Sequence, residues 1–530
     1  MNQDYDVVIV GAGFAGLYML HRVRGLGFSA RLFETGSGVG GTWYWNRYPG
    51  ARCDVESMEY SYQFSEALQQ EWRWSERYAG QPEILRYANH VADRFDLRRD
   101  MQFETRVVAA EFRDPDNRWT VRTHDGAEVS TRFLVMATGC LSSTNLPRFE
   151  GLESFAGEVY HTGRWPHHPV EFTGKRVGVI GTGSSAVQSI PLIAREASSL
   201  TVFQRTATYS VPARNGPLDP AHEARIKADY AGFRARNSRM PNAFGSYLPR
   251  NETPALSVEP AERERAFEAR WRHGGLFFLG AFGDLIFDAQ ANQTAAGFVR
   301  AKIRETVRDP SVAQLLEPRQ VIGCKRLCID SGYYETFNRP NVRLVDVSKA
   351  PIEAITPRGL RAGGREYELD SIVCATGFDA MTGALFAIDI RGRDRLPLRE
   401  KWRDGPRTYL GLGTAGFPNL FVIAGPGSPS VLTNMLVSIE QHVNWISDCL
   451  AFMRTQGHAR IEPRVAAEEA WVAHVNSVAD RTVYPQCNSW YLGANVPGKP
   501  RVFMPLLGFP QYVAKCDEVV ARGYEGFALA

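Results

Sequence analysis

Two stretches of the chain repeat one pattern of apolar and turn-forming residues. Asp6-Val7-Val8-Ile9-Val10 is a compact β-branched run of the kind a buried parallel strand needs, and Gly11-Ala12-Gly13-Phe14-Ala15-Gly16 follows at once. A helical stretch from about Leu17 to Arg24 comes next, and a second strand, Ala30-Arg31-Leu32-Phe33, ends at Glu34. In mid-chain, Arg176-Val177-Gly178-Val179-Ile180 is the strand and Gly181-Thr182-Gly183-Ser184-Ser185-Ala186 the turn. A helix then runs to about Arg195, and Leu200-Thr201-Val202-Phe203 is the following strand.

Two further strand ends match each other. Phe133-Leu134-Val135-Met136 runs into Ala137-Thr138-Gly139, and Ser371-Ile372-Val373-Cys374 into Ala375-Thr376-Gly377. The first lies just before the second unit and the second well after it, so one fold is interrupted by another. Residues 217–304 turn polar, charged and helix-like, most clearly over 262–270, and read as a helical insertion. The expected architecture is α/β with two Rossmann-like dinucleotide-binding domains, the second inserted in the first and carrying the helical insertion. The expected boundaries are 1–140 for the first part of the first domain, 141–378 for the second domain and 379–530 for the return. No tandem repeat or low-complexity tract interrupts this plan.

Composition changes the picture little. Hydrophobic residues make up 44% and charged residues 22% of the 530 positions, which excludes disorder and a small disulfide scaffold. Lys and Arg number 61 against 58 acidic residues, too even a balance to imply a nucleic-acid or membrane partner. The eight cysteines contain no C-x-x-C pair, so no zinc ribbon or redox pair is indicated, and the plain expectation is a reduced, cytoplasmic chain. Residues 7–20 lack a preceding basic region, and residues 417–439 are broken by Pro418, Pro426 and Pro429. Both read as buried core rather than as a signal peptide or a membrane span.

The chemistry is in the turns. G-x-G-x-x-G between strand and helix brings backbone N–H groups to a pyrophosphate, and Glu34 at the next strand end suits a ribose diol. The second copy has Gln204-Arg205-Thr206 at the matching place. A carboxylate there repels a 2′-phosphate and a guanidinium binds it, so the second ligand is expected to be NADPH rather than NADH. An acidic first site and a basic second site suggest FAD plus NADPH. With no C-x-x-C to take electrons, oxygen is the expected acceptor, leaving an oxidase or a monooxygenase.

Longer signatures narrow this. Residues 155–166, Phe155-Ala156-Gly157 through His161 to Trp165-Pro166, match F-x-G-x-x-x-H-x-x-x-W-P. Gly40-Gly41-Thr42-Trp43 with Tyr48-Pro49-Gly50-Ala51-Arg52-Cys53-Asp54 matches G-G-x-W-x-x-x-x-Y-P-G-x-x-x-D. Together they resemble the type I Baeyer–Villiger monooxygenases, along essentially the whole chain to the Trp490-Tyr491-Leu492-Gly493 loop. The resemblance implies conversion of ketones to esters or lactones with NADPH and O2, through a C4a-peroxyflavin and a Criegee adduct, with sulfoxidation as a side activity. It implies catalytic roles for Arg326 and its partner Asp54, since a peroxide anion needs a fixed cation in a dry site. For FAD it implies Gly11, Gly13, Ala15, Gly16, Glu34, Thr42, Trp43, Tyr44, Trp45, Asp54, Tyr60, Val107 and Met435. For NADP it implies Arg52, Thr182, Gly183, Ser184, Ser185, Ala186, Gln188, Arg205, Thr206, Lys325, Arg326 and Trp490. Ser430, Val431, Leu432 and Thr433 are the implied substrate wall, suited to a small apolar ketone. His161 reads as a hinge or hydrogen-bond anchor, and no metal site is indicated. No protein partner is implied and a monomer is expected. The rivals are a flavin N- or S-oxygenase and a non-catalytic flavin-binding sensor.

Overall fold

The structure, a computed structural model, describes residues 3–530. Its largest sheet has eight strands. Strand Gln3–Val10 sits inside it, parallel to Ala30–Phe33 on one side and to Glu128–Met136 on the other. Val7, Val8 and Ile9 are wholly buried, as expected for a strand covered on both faces. Helix Phe14–Gly25 covers one face, carrying Leu17, Met19, Leu20 and Val23 into the core. Its observed start lies three residues before the expected one, because the glycine turn itself caps the helix.

Strand Glu128–Met136 has two partners on its far edge. Its first half pairs antiparallel with Arg118–Thr123, and its second half pairs parallel with Leu420–Val422. Strand Asp389–Arg391 joins the same sheet beside Val107–Arg113. The chain therefore returns to its first sheet after building another.

That second sheet has five parallel strands, in the order Val342–Asp346, Ser199–Gln204, Arg176–Ile180, Ser371–Cys374, Glu158–His161. Helix Ser184–Glu196 packs Val187, Ile190 and Ile193 against it. Helices Pro220–Ala228, Tyr230–Ser238, Pro260–His273 and Ala289–Thr306 form the insertion. Phe267, Phe278, Phe282 and Phe298 give it an aromatic centre. A three-stranded antiparallel meander, Ile352–Thr356, Gly359–Ala362 and Arg365–Glu368, precedes the last strand of the second sheet.

No helix among the described residues is long and apolar enough to cross a membrane. The expectation that every cysteine is reduced fails. Cys324 and Cys487 form a disulfide across 163 residues of sequence, with Cα atoms 6.4 Å apart. Counting local spacings misses such a pair, because the fold alone brings the two together. The other six cysteines are free and buried.

Candidate functional site

The first glycine turn is forced by its surroundings. Gly11 has φ +107°, and a Cβ there would stand 2.6 Å from the carbonyl oxygen of Ala137. Helix Phe14–Gly25 starts at Gly13 with no side-chain cap, so its leading N–H groups remain open to an anion. A Cβ on Gly13 would meet only Gly41, at 3.4 Å, so two bare backbones face each other across a groove that side chains would fill. Ala15 and Gly16 are buried in the first helical turn. Glu34 is buried and accepts the N–H groups of Ala12 and Gly36, both at 2.7 Å. Burial pushes its carboxyl pKa up and those amides oppose the rise. Each oxygen keeps a lone pair for a ribose hydroxyl.

Helix Thr42–Trp45 arranges the aromatics. The Trp43 ring is buried and donates Nε1–H to the Tyr60 hydroxyl at 3.1 Å. Thr42 is exposed. Tyr44 binds Ser37 through its hydroxyl, and the Tyr44 and Trp45 rings contact His167 at 4.6 and 6.2 Å. The three adjacent aromatics thus divide between the Tyr60 side and the segment that holds Trp165. Val107 is buried at the start of strand Val107–Arg113.

The second turn copies the first. Gly181 has φ +113°, and a Cβ there would lie 2.4 Å from the Ala375 carbonyl oxygen. Gly183 caps helix Ser184–Glu196 without a side-chain bond, and a Cβ on it would meet nothing within 4 Å. Thr182 Oγ1 donates to the Thr206 carbonyl at 2.7 Å, tying the turn to the end of strand Ser199–Gln204. Ser184 lies against Cys328, Ser185 pairs with Thr162, and Ala186 is wholly buried. Lys325 is held below the usual lysine pKa, first by burial and then by the charge of Arg205. Neither cation makes an ion pair among the described residues. Two uncompensated cations beside an uncapped helix start fit a bound phosphate.

Between the two sheets, Gln188 of helix Ser184–Glu196 accepts from the Tyr48 hydroxyl at 2.8 Å and donates to the Arg52 carbonyl at 3.2 Å. The Arg52 guanidinium itself binds Glu76 at 2.8 Å and the Tyr78 carbonyl at 3.0 Å. Alongside runs the strongest polar contact of the region. Arg326 donates Nε–H and Nη2–H to the two oxygens of Asp54, at 2.5 and 2.9 Å, and Nη1–H to the Val431 carbonyl at 2.7 Å. Burial works against the charge most, but Asp54 outweighs it and holds the Arg326 pKa above its ordinary value. Five N–H donors less three leaves two free.

Val431 and Leu432 belong to an apolar cluster with Cys140, Met381, Tyr484, Tyr491, Phe503 and Met504, and Met435 packs against it. Ser430 and Thr433 are buried with their hydroxyls turned to the Ala424 and Ser430 carbonyls. Trp490 is half-buried at the edge, its ring 4.2 Å from that of Tyr491. Tyr484, Tyr491, Phe503 and Met504 were not singled out from sequence, and the one signal was the uncharged, aromatic character of the segment around Trp490. His161 accepts the Gly163 N–H and faces Thr376, and burial lowers its pKa to about 4. It is a neutral anchor at a strand end.

Fold and site define a class: a flavoprotein monooxygenase with two dinucleotide units, using FAD and NADPH. Residues 8–235 match the family described as pyridine nucleotide-disulphide oxidoreductase. The chain is 44% identical to a Baeyer–Villiger monooxygenase of Pseudooceanicola batsensis, covering 99% of this chain and 96% of that protein. It is 41% identical to a cyclohexanone 1,2-monooxygenase of Acinetobacter sp., covering 100% and 97%. Among solved structures, an oxidised steroid monooxygenase bound to NADP superposes with a TM-score of 0.94 at 54% identity, covering 99% of each chain. The chain belongs to the type I Baeyer–Villiger monooxygenase family.

Proposed function

We propose that the chain oxidises an uncharged, apolar ketone to its ester or lactone, with Arg326 as the cation of the reaction. Residues 1–140 and 379–530 would hold FAD through the Gly11–Gly16 turn and Glu34. Residues 141–378 would hold NADP through the Gly181–Ala186 turn, Arg205 and Lys325. When bound, FAD and NADPH supply the electrons and the activated oxygen from O2.

The rest falls to side chains. Asp54 keeps Arg326 protonated and fixes the plane of its guanidinium, so the two free N–H groups are aimed before substrate arrives. Those donors suit the negative charge that develops on the ketone oxygen, and nothing needs to reorient as it does. The apolar cluster around Val431, Leu432 and Tyr491 removes water from the ketone, which strengthens the Arg326 field and keeps stray protons away. Thioethers are neutral and fit the same surroundings, so sulfoxidation is a side activity. The observation that carries this reading is Arg326 bound to Asp54 and to the Val431 carbonyl at the edge of an apolar wall. The test incubates the protein with NADPH and air against linear, cyclic, aromatic and steroid ketones, and separately against an amine. Ester or lactone with consumption of NADPH is expected. Oxygenated amine with no ester overturns the proposal.

A further inference from the structure

We propose that the Cys324–Cys487 bond is a thiol–disulfide switch for coenzyme binding. Oxidised, it fastens the Trp490 loop over the Lys325–Arg326 segment; reduced by a dithiol, it releases that loop. The inference rests on the coenzyme role given above to Lys325 and Trp490.

The placement carries it. Cys324 directly precedes Lys325 and Arg326, and Cys487 lies three residues before Trp490. The bond therefore joins the cationic segment of the second unit to the loop that borders the apolar cluster. From Asn495 onward that loop has other holds. Asn495 donates to the Phe378 carbonyl at 2.7 Å, and Lys499 binds Asp379 at 2.5 Å and the Ala380 carbonyl at 2.6 Å. Near its start there is one backbone bond to the insertion, Val483 N–H to the Ile286 carbonyl at 2.9 Å. Between these anchors Tyr491 is buried in the apolar cluster and its carbonyl accepts the Met504 N–H at 3.0 Å, while Cys487 and the half-buried Trp490 beside it are fastened to the second unit by the disulfide. Arg326 is already fixed from the other side by Asp54 and Val431, so cutting the bond frees the loop more than the guanidinium.

Access is one-sided. Cys324 is wholly buried, whereas Cys487 is half-buried between exposed Gln486 and Asn488. A thiolate of the reductant attacks Cys487 Sγ and forms a mixed disulfide; the Sγ–Sγ bond breaks, and Cys324 leaves as a thiolate that takes a proton. The second thiol of the reductant displaces Cys487. Two electrons and two protons pass to the protein, and the dithiol becomes its disulfide. A disulfide of the same class runs the exchange backwards. The six remaining cysteines are buried, so exchange on the folded protein is confined to this pair.

The experiment compares the full-length, FAD-loaded protein in three forms: oxidised, reduced with dithiothreitol and capped with iodoacetamide, and as Cys487→Ser. Readouts are NADP⁺ affinity by titration and chymotrypsin cleavage after Trp490, Tyr491 and Leu492, which lie between the two anchors. Mass spectrometry of the capped form confirms that two thiols were released. Reduced and Cys487→Ser proteins are expected to bind NADP⁺ roughly tenfold more weakly and to be cut in the loop, as an ordinary coupling between two sites allows. The chemically reduced wild type keeps the test decisive if the variant fails to fold. Equal affinity and equal cleavage in all forms overturn the switch. No NADP⁺ binding even to the oxidised protein overturns the coenzyme reading, and a cleavage pattern that still follows redox state separates that failure from failure of the tether.

Discussion

Arg326→Ala removes three hydrogen bonds and one charge at once. Two magnitudes follow. Breaking one partner out of a fully buried ion pair costs about 3–5 kcal/mol. Here the Arg326 and Asp54 side chains keep 20% and 27% of their exposure, so water takes over part of the Asp54 solvation. A loss of ~1–2 kcal/mol is therefore expected, a fall of about 1–2 degrees in Tm for a chain of this length, which leaves the fold intact. The catalytic loss is larger. Removing one preorganised donor from a developing oxyanion costs about 2.7–4 kcal/mol, or roughly 10²–10³ in kcat for ester formation. The assay has two stages. NADPH is added without air and bleaching of the flavin is followed; then air and ketone are admitted and ester and hydrogen peroxide are both measured. Bleaching at the wild-type rate is expected, followed by peroxide in place of ester. Arg326→Lys is expected to recover about tenfold over alanine, since an ammonium keeps the charge but cannot grip Asp54 at two points and also reach Val431. An unchanged ratio of ester to NADPH in Arg326→Ala would refute the reasoning.

Three further outcomes are expected. Arg205→Ala loses a charge-assisted contact of about 1.5–3 kcal/mol and should raise the KM for NADPH by roughly 10–100-fold while barely moving that for NADH; equal changes for both rule out contact with the 2′-phosphate. Glu34→Ala leaves the buried N–H groups of Ala12 and Gly36 without their acceptor, at about 1–3 kcal/mol each, so the purified variant should show a lower flavin-to-protein absorbance ratio and a lower Tm; full flavin content would count against a cofactor role. Glu440 is buried, accepts the Gln63 and Phe64 N–H groups at 2.9 and 3.0 Å, and has its pKa raised by burial from 4.5 to about 7. The folded state holds the extra proton between those values, so this group's contribution falls as pH rises through them, by roughly 3 kcal/mol in all. Glu440→Gln removes that dependence, so Tm of the variant relative to wild type should be higher at pH 8 than at pH 5, and a gap that ignores pH would exclude the assignment.

Short-range features were legible in the sequence, and contacts between distant segments were not. The strands at Val7–Val10 and Val177–Ile180 announce themselves because both faces are covered and every position is apolar or glycine. Gly11 and Gly181 are legible for a local reason, since only glycine accepts those backbone angles so close to a carbonyl. Arg326 and Asp54 meet across 272 residues, and no periodicity connects them; family resemblance alone drew them together. The same holds for Cys324 and Cys487, where no resemblance helped and the expectation of free thiols was wrong. The aromatic run 43–45 shows a finer limit. Adjacency in sequence says nothing of direction: a single helical turn sends Trp43 to Tyr60 and turns Tyr44 and Trp45 to His167.

The divided edge of strand Glu128–Met136 has a consequence for biosynthesis. Met136 leaves the ribosome early, but Val422, which pairs with it, follows only after roughly 280 further residues, or about 15–60 s at ordinary elongation rates. For that interval the nascent first sheet presents a half-open apolar border, while the second sheet, whose strands all lie between 158 and 374, is begun and completed within it. Chaperone demand and premature-termination damage should therefore concentrate on the earliest-made part of the polypeptide, even though it is the last to close.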